Sequence, residues 1–173
     1  MTTFDFTETN KARARRGRLH ARFAKYVREG RDYVTLVAHE SFSGNRAPSD
    51  NPPFVQFAWR DDLRLQVEVQ GDHYRDEPYS APQQRMLTRL GYAPPFEHGD
   101  DFGNWTLFRE AEGCHPESVA TLLLESMWLV HGVHWHDFRT AERNKLAHWQ
   151  FEWSVSPGKR DIEAETRARF NSN

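Results

Sequence analysis

Three histidines fall within the six residues His131-Gly132-Val133-His134-Trp135-His136, the densest group of metal-competent side chains in the chain. Closely spaced imidazoles serve metal sites, and in an extended segment His134 and His136 would share a face. Structural zinc needs about four ligands, and no cysteine or acidic residue at a familiar spacing completes the set. Asp137 adjoins the cluster but is badly placed to converge with all three histidines. No metal and no cofactor is therefore expected. The histidines read as helix-end and loop residues, where a helix dipole favouring a cation accounts for His131.

Cys114-His115 sets a thiol beside an imidazole just before a helix, where thiol pKa values fall. Sequence neighbours rarely face each other as nucleophile and base, and no third group orients this pair. Asp61-Asp62 and Asp100-Asp101 lie in turn and loop contexts, where aspartate side chains close turns. The phosphate-cradling and nucleophile-elbow patterns are absent. No catalytic residue is expected, and the chain is read as a non-enzyme.

The remaining chemistry is electrostatic. Lys11 to Arg31 holds nine Lys or Arg against one acid, Glu29, within a chain whose formal net charge is −2. Such a run neutralises phosphates, which makes a nucleic-acid-associated protein the alternative function. It lacks interleaved aromatics for base stacking, so a solvated arm or a dock for an acidic partner is favoured. The single cysteine excludes an internal disulfide framework and fits a reducing compartment. With no apolar leader and no apolar run near the roughly 20 residues that span a bilayer, a cytoplasmic protein without membrane contact is expected.

The elements that would position these residues follow from periodicity. Leu19, Phe23, Tyr26 and Val27 lie on one face of a helix over residues 10–30, with its Arg-rich first half read as solvated or frayed. Residues 33–40 read as a strand and 41–53 as loop. Leu63, Leu65, Val67 and Val69 alternate with Arg64, Gln66, Glu68 and Gln70, predicting a strand with one dry and one wet face. Residues 54–60 precede it across Asp61-Asp62, giving an antiparallel hairpin.

Ser80-Ala81-Pro82-Gln83 is a capping box that opens a helix ended by Gly91. Residues 104–109 form a short strand. The strongest helix begins at His115-Pro116-Glu117. Val119, Leu122, Leu123, Ser126 and Val130 make its stripe, and Leu124 and Trp128 sit well round from it. A second helix or a second subunit must cover that side. Beyond Val133 two readings stay open, a helix over 138–148 or a strand over 149–155. The charged tail from Pro157 is read as mobile, with a short helix near 161–170. The fold class is α+β, helices packed on an antiparallel sheet, with a basic extension (1–18), one domain (19–156) and a charged tail (157–173).

Residues 53–58 and 63–69, then Ser80-Ala81-Pro82-Gln83-Gln84, Leu87-Thr88-Arg89-Leu90-Gly91-Tyr92, Asn104-Trp105-Thr106-Leu107-Phe108 and the helix ending in His131-Gly132-Val133 follow one another in a familiar order. This order resembles the YbjN-like and type III secretion chaperone-like (TY-Chap) group of bacterial domains, over roughly residues 33–138. The resemblance implies a helix–sheet–helix sandwich that often dimerises and binds peptides without cofactor or catalysis. The Arg-rich N-terminus and the aromatic segment 149–155 depart from it. The expected function is a non-catalytic chaperone-like or adaptor domain binding a polypeptide partner as a homodimer. Aromatics are favoured interface anchors, so Trp59, Trp105, Leu124 and Trp128 are the candidate partner-binding residues, with Trp149 and Trp153 covering the same surface.

Overall fold

The alternation in residues 54–70 produces the hairpin it predicts. Strand β3 (Phe54–Trp59) pairs antiparallel with β4 (Arg64–Val69), setting Phe57 opposite Val67 and Trp59 opposite Leu65. The computed structural model containing it describes residues 10–42, 45–46, 50–75, 77–96, 103–135, 138–139 and 146–171. Asp100, Asp101, His136, Asp137 and the first nine residues lie outside that description.

Around the hairpin runs an antiparallel sheet. Strand β1 (Tyr33–Phe42) lies beside β3, and β5 (Trp105–Glu110) lies beside β4. On the other side of β1 comes β7 (Leu146–Val155), then the two-residue β6 (Phe138–Arg139); another two-residue strand, β2 (Asn45–Arg46), folds back on the end of β1. The order β5-β4-β3-β1-β7-β6 settles the question left open beyond Val133, since the aromatic segment is strand. Alternation at Trp149, Phe151 and Trp153 matches the pleat, and Ala38 opposes Phe151 while Leu36 opposes Trp153.

The helices cover one face. Helix α1 (Asn10–Arg28) buries Leu19, Phe23 and Val27, and α3 (Pro116–Leu129) buries Val119, Leu123 and Met127, over Leu36, Val55, Phe57, Leu65 and Val67 of the sheet. Helix α2 (Ala81–Leu90) starts as its capping box predicts: the Ser80 N–H donates to Gln83 Oε1 at 3.0 Å, and Gly91 closes it in the left-handed region at φ 95°. This is the α+β architecture expected.

Four local readings need correction. The Arg-rich half of α1 is helical from Asn10 rather than frayed; Lys11, Arg13, Arg16 and Arg18 are exposed, as a solvated face would be, but Ala12 is buried, and one small residue facing inward leaves no apolar stripe to detect. The wet face of β4 is not wet. Gln66, Glu68 and Gln70 are buried because they satisfy one another and the backbone: Gln66 Nε2 donates to Glu68 Oε1 at 2.8 Å, Gln56 donates to the other carboxylate oxygen, and Gln70 Nε2 donates to the Tyr74 carbonyl at 2.9 Å. Leu63 belongs to the turn, at φ 65°.

The tail, finally, is docked. Helix α4 (Ile162–Phe170) is capped by Asp161, whose carboxylate accepts from Ala164 N–H at 2.9 Å. The Arg160 N–H donates to the Gly30 carbonyl at 2.8 Å, and its guanidinium reaches the Arg60 carbonyl at 2.8 Å. Its polar contacts to backbone are invisible to a hydrophobic pattern.

Candidate functional site

The histidine cluster does not converge among the described residues. His131, half-buried just past α3, meets Arg75 at Nδ1 (3.3 Å) and the Tyr79 hydroxyl at Nε2 (3.3 Å). Burial, with the Arg75 charge beside it, lowers its pKa to about 3. The ring is therefore neutral, and the helix-dipole account of a cationic His131 does not hold. No group of three metal-ligating side chains occurs among the described residues. Burial raises the Cys114 thiol to about 11, with Arg109 opposing only in part, the reverse of what a nucleophile at a helix start requires. Asp62 works in the hairpin turn, accepting from the Arg64 N–H at 3.1 Å and from its guanidinium.

A cleft of about 320 Å³ lies between α1 and α3. Arg13, Arg16, Gly17 and His20 form one wall, and Thr121, Leu124, Glu125 and Trp128 form the other, with Trp135 completing the lining. Each set is spaced i, i+3, i+4, i+7, so each is one face of its helix. At one end of the cleft the helices are joined: His20 Nε2 lies 3.1 Å from both the Glu117 carbonyl and the Thr121 hydroxyl, and Arg28 pairs with Glu117 at 2.7 Å. These bonds fix the spacing of the walls. At Gly17 an added Cβ would meet nothing within 4 Å, so the missing side chain keeps the α1 wall open.

The apolar side of the cleft is anchored from below. Leu124 is buried against the core, whereas Trp128 is 42% exposed and adjoins the exposed Leu129. Trp135 is buried and stacks on Phe151 at 5.6 Å. The chemistry is thus an aromatic and aliphatic floor with a basic rim on one side, where Arg13, Arg16 and His20 face a single acid, Glu125.

Of the six predicted partner-binding residues, the structure brings Leu124 and Trp128 together in this cleft. Trp59 and Trp105 are buried in the sheet core and do not reach it. Trp149 and Trp153, half-buried on β7, do not cover it either. Trp153 packs edge-on against Phe23 at 4.7 Å with the Arg22 guanidinium 4.7 Å over its ring, and Arg15 donates to the Trp149 carbonyl. Gly17, His20 and Trp135 were not singled out by sequence as site residues, and Arg13 and Arg16 entered only as members of the basic run read as a solvated arm or a dock for an acidic partner. The helical spacing of Arg13, Arg16, Gly17 and His20 was the available signal, but it carries no hydrophobicity and so escapes a search for apolar stripes.

Among the described residues no helix is long and apolar enough to cross a membrane. No curated protein and no solved structure matches the chain. One family model does, from within α1 through α3 and the sheet up to β7. The chain belongs to the T3SS (YopN, CesT) and YbjN peptide-binding chaperone 3 family, TY-Chap3, whose model matches residues 16–145.

Proposed function

We propose that this chain is a non-catalytic chaperone-like domain that holds a segment of another polypeptide in the α1–α3 cleft, and that it works as a homodimer. The observation carrying the first part is the exposed Trp128 beside buried Leu124, facing a basic helix wall kept open at Gly17. An aromatic on a firm apolar base is a good anchor because little side-chain freedom is lost on contact. The basic rim selects for acidic residues flanking the segment's own apolar anchor. Membership in a peptide-binding chaperone family supports the same conclusion.

The nucleic-acid alternative loses support from the disposition of the basic run. Arg15 and Arg22 lie over Phe151 and Trp153, and Arg28 pairs with Glu117, so the run is not a continuous phosphate-facing stripe.

Synthetic 15-residue peptides that vary anchor type and net charge test the proposal by calorimetry. Peptides with an aromatic or aliphatic anchor and acidic flanks should bind, and Gly17→Leu, which fills the cleft, should weaken them roughly tenfold or more. Trp128→Ala should do the same. Binding indifferent to both substitutions sinks the assignment of the cleft.

A further inference from the structure

Among the described residues, part of the outer edge of strand β7 is unpaired. Its even-numbered residues bond to β1: the Ser156 N–H just beyond the strand donates to the Tyr33 carbonyl at 3.0 Å, in step with Ser154 opposite Thr35 and Glu152 opposite Val37. Its odd-numbered residues therefore direct their backbone groups outward. At one end that edge is closed, since β6 pairs with Leu146 and Ala147 and Arg15 takes the Trp149 carbonyl. At the other end the strand stops at Val155, and the Ser156 and Pro157 carbonyls are held by Arg31, beside the start of β1, at 3.1 Å. Between these limits the outward N–H and C=O groups of Phe151, Trp153 and Val155 meet no hydrogen-bond partner among the described residues.

An unpaired edge is a template for another strand, and proteins guard such edges with lysine, proline or bulges. Residues 151–155 carry no lysine, proline or bulge, and their one charged residue is Glu152. We infer that two copies of the chain pair antiparallel along this edge, about a two-fold axis at Trp153, joining their sheets into one. This rests on the homodimer reading above and gives it an interface. The free edge is centred on Trp153, so this register uses all of it, with Trp153 opposite Trp153 and Phe151 opposite Val155, for about six backbone hydrogen bonds.

The side chains on the open face select the same register. Glu152 and Ser154 are exposed there, on the side away from the helices. Glu152 Oε2 lies 3.2 Å from His39 Nε2 on β1, and a two-fold axis at Trp153 sets each such carboxylate opposite a Ser154 hydroxyl that can donate to it as well. An axis at Glu152 would oppose two carboxylates, which is unfavourable for directly facing cross-strand residues. On the covered face, Phe23 touches both Phe57 and Trp153, so α1 runs over β1. Two such helices would lie about 14 Å apart across the joined sheets, from a strand spacing of about 4.8 Å. That exceeds the 8–10 Å of direct helix packing and leaves room for Arg22. Strand β7 also lies outside the residues matched by the family model, so this interface is a property of this chain's own C-terminal segment.

The pairing of Ser154 with Glu152 makes the inference testable without touching the core. Sedimentation velocity on the full chain, from about 10 to 300 μM, should show a reversible dimer, weak because the interface is at the small end of specific contacts. Ser154→Glu, which faces Glu152 of the other copy, should weaken it roughly fivefold, and Ser154→Lys should strengthen it by a similar factor. Thermal melts at low concentration establish that both variants fold. A dimer indifferent to both changes overturns the β7 interface and leaves the homodimer standing on another surface. A monomer throughout the range overturns both, and leaves peptide binding in the cleft untouched.

Discussion

The Tyr79 hydroxyl and the His131 ring fix each other's proton. Tyr79 Oη lies 2.6 Å from the Gln70 carbonyl and 3.3 Å from His131 Nε2. A phenol has one hydrogen, and the shorter contact to a carbonyl claims it. His131 Nε2 must then carry the proton and donate to Tyr79. Arg75, always a donor, meets Nδ1 at 3.3 Å, so Nδ1 accepts. Both ring nitrogens are satisfied only in the neutral Nε2–H tautomer, and protonating Nδ1 would aim an N–H at a guanidinium.

Acid should therefore destabilise the fold through this ring. An unfolded histidine protonates near pH 6.5, whereas His131 stays neutral to about 3. Between those values the unfolded chain binds the extra proton, so stability falls as pH drops, by up to about 1.4 kcal/mol per unit. Urea midpoints between pH 7 and 5 should decline in the wild type and decline less in His131→Phe. Nitrogen NMR should show the Nε2–H tautomer throughout that range; a ring titrating near 6.5 would falsify the assignment.

Leu63 occupies the left-handed region at φ 65° with its side chain buried. Its N–H donates to the Arg60 carbonyl at 3.0 Å, closing a turn that ordinarily calls for glycine there. Truncation should thus invert the usual order of small residues. Leu63→Ala loses packing and keeps the strain of about 1–2 kcal/mol, whereas Leu63→Gly loses similar packing and sheds the strain. Chemical denaturation should place the glycine variant about 1 kcal/mol above the alanine variant.

How far the sequence carried the fold depended on which force placed each residue. Burial of Leu65, Val67 and Val69 repeats with the pleat, so the hairpin and its dry face were legible. Gln66 and Glu68 were misplaced because alternation reports polarity, while burial of a polar group depends on partners such as Gln56 supplied by another strand. The cleft was half legible for a related reason. Leu124 and Trp128 stood out as apolar residues off the main stripe, but the facing wall of Arg13, Arg16, Gly17 and His20 is defined by shape and charge. Which residue faces a cleft is decided by how α1 crosses α3, and bonds such as Arg28 to Glu117 join residues far apart in sequence.

Two glycines of the first helix and its end should respond to alanine in opposite directions. Gly17 is mid-helix with open space where a Cβ would stand, so Gly17→Ala should stabilise by about 0.5–1 kcal/mol through helix propensity. Gly30 has φ 60°, and an added Cβ would lie 2.0 Å from the Arg160 carbonyl oxygen, a backbone atom that cannot swing aside. Gly30→Ala should cost more than the roughly 1 kcal/mol of left-handed strain, because the segment that ties α4 to the end of α1 must also shift. Melting temperatures compare the two directly. Limited proteolysis should show faster loss of the C-terminal segment in Gly30→Ala alone.

The thiol of Cys114 offers a test of burial at the start of α3. Its pKa is pushed up to about 11, with the Arg109 charge opposing too weakly to offset desolvation. At pH 8 the thiolate fraction is then roughly a hundredfold below that of an ordinary cysteine with a pKa near 8.5. Alkylation by iodoacetamide follows the thiolate, so native protein should label about two orders of magnitude more slowly than protein in denaturant. Arg109→Leu should slow labelling further, because it removes the charge that favours the thiolate. Labelling at the rate of a free thiol would place Cys114 in a polar, open setting, and would restore the pairing with His115 as a site to examine.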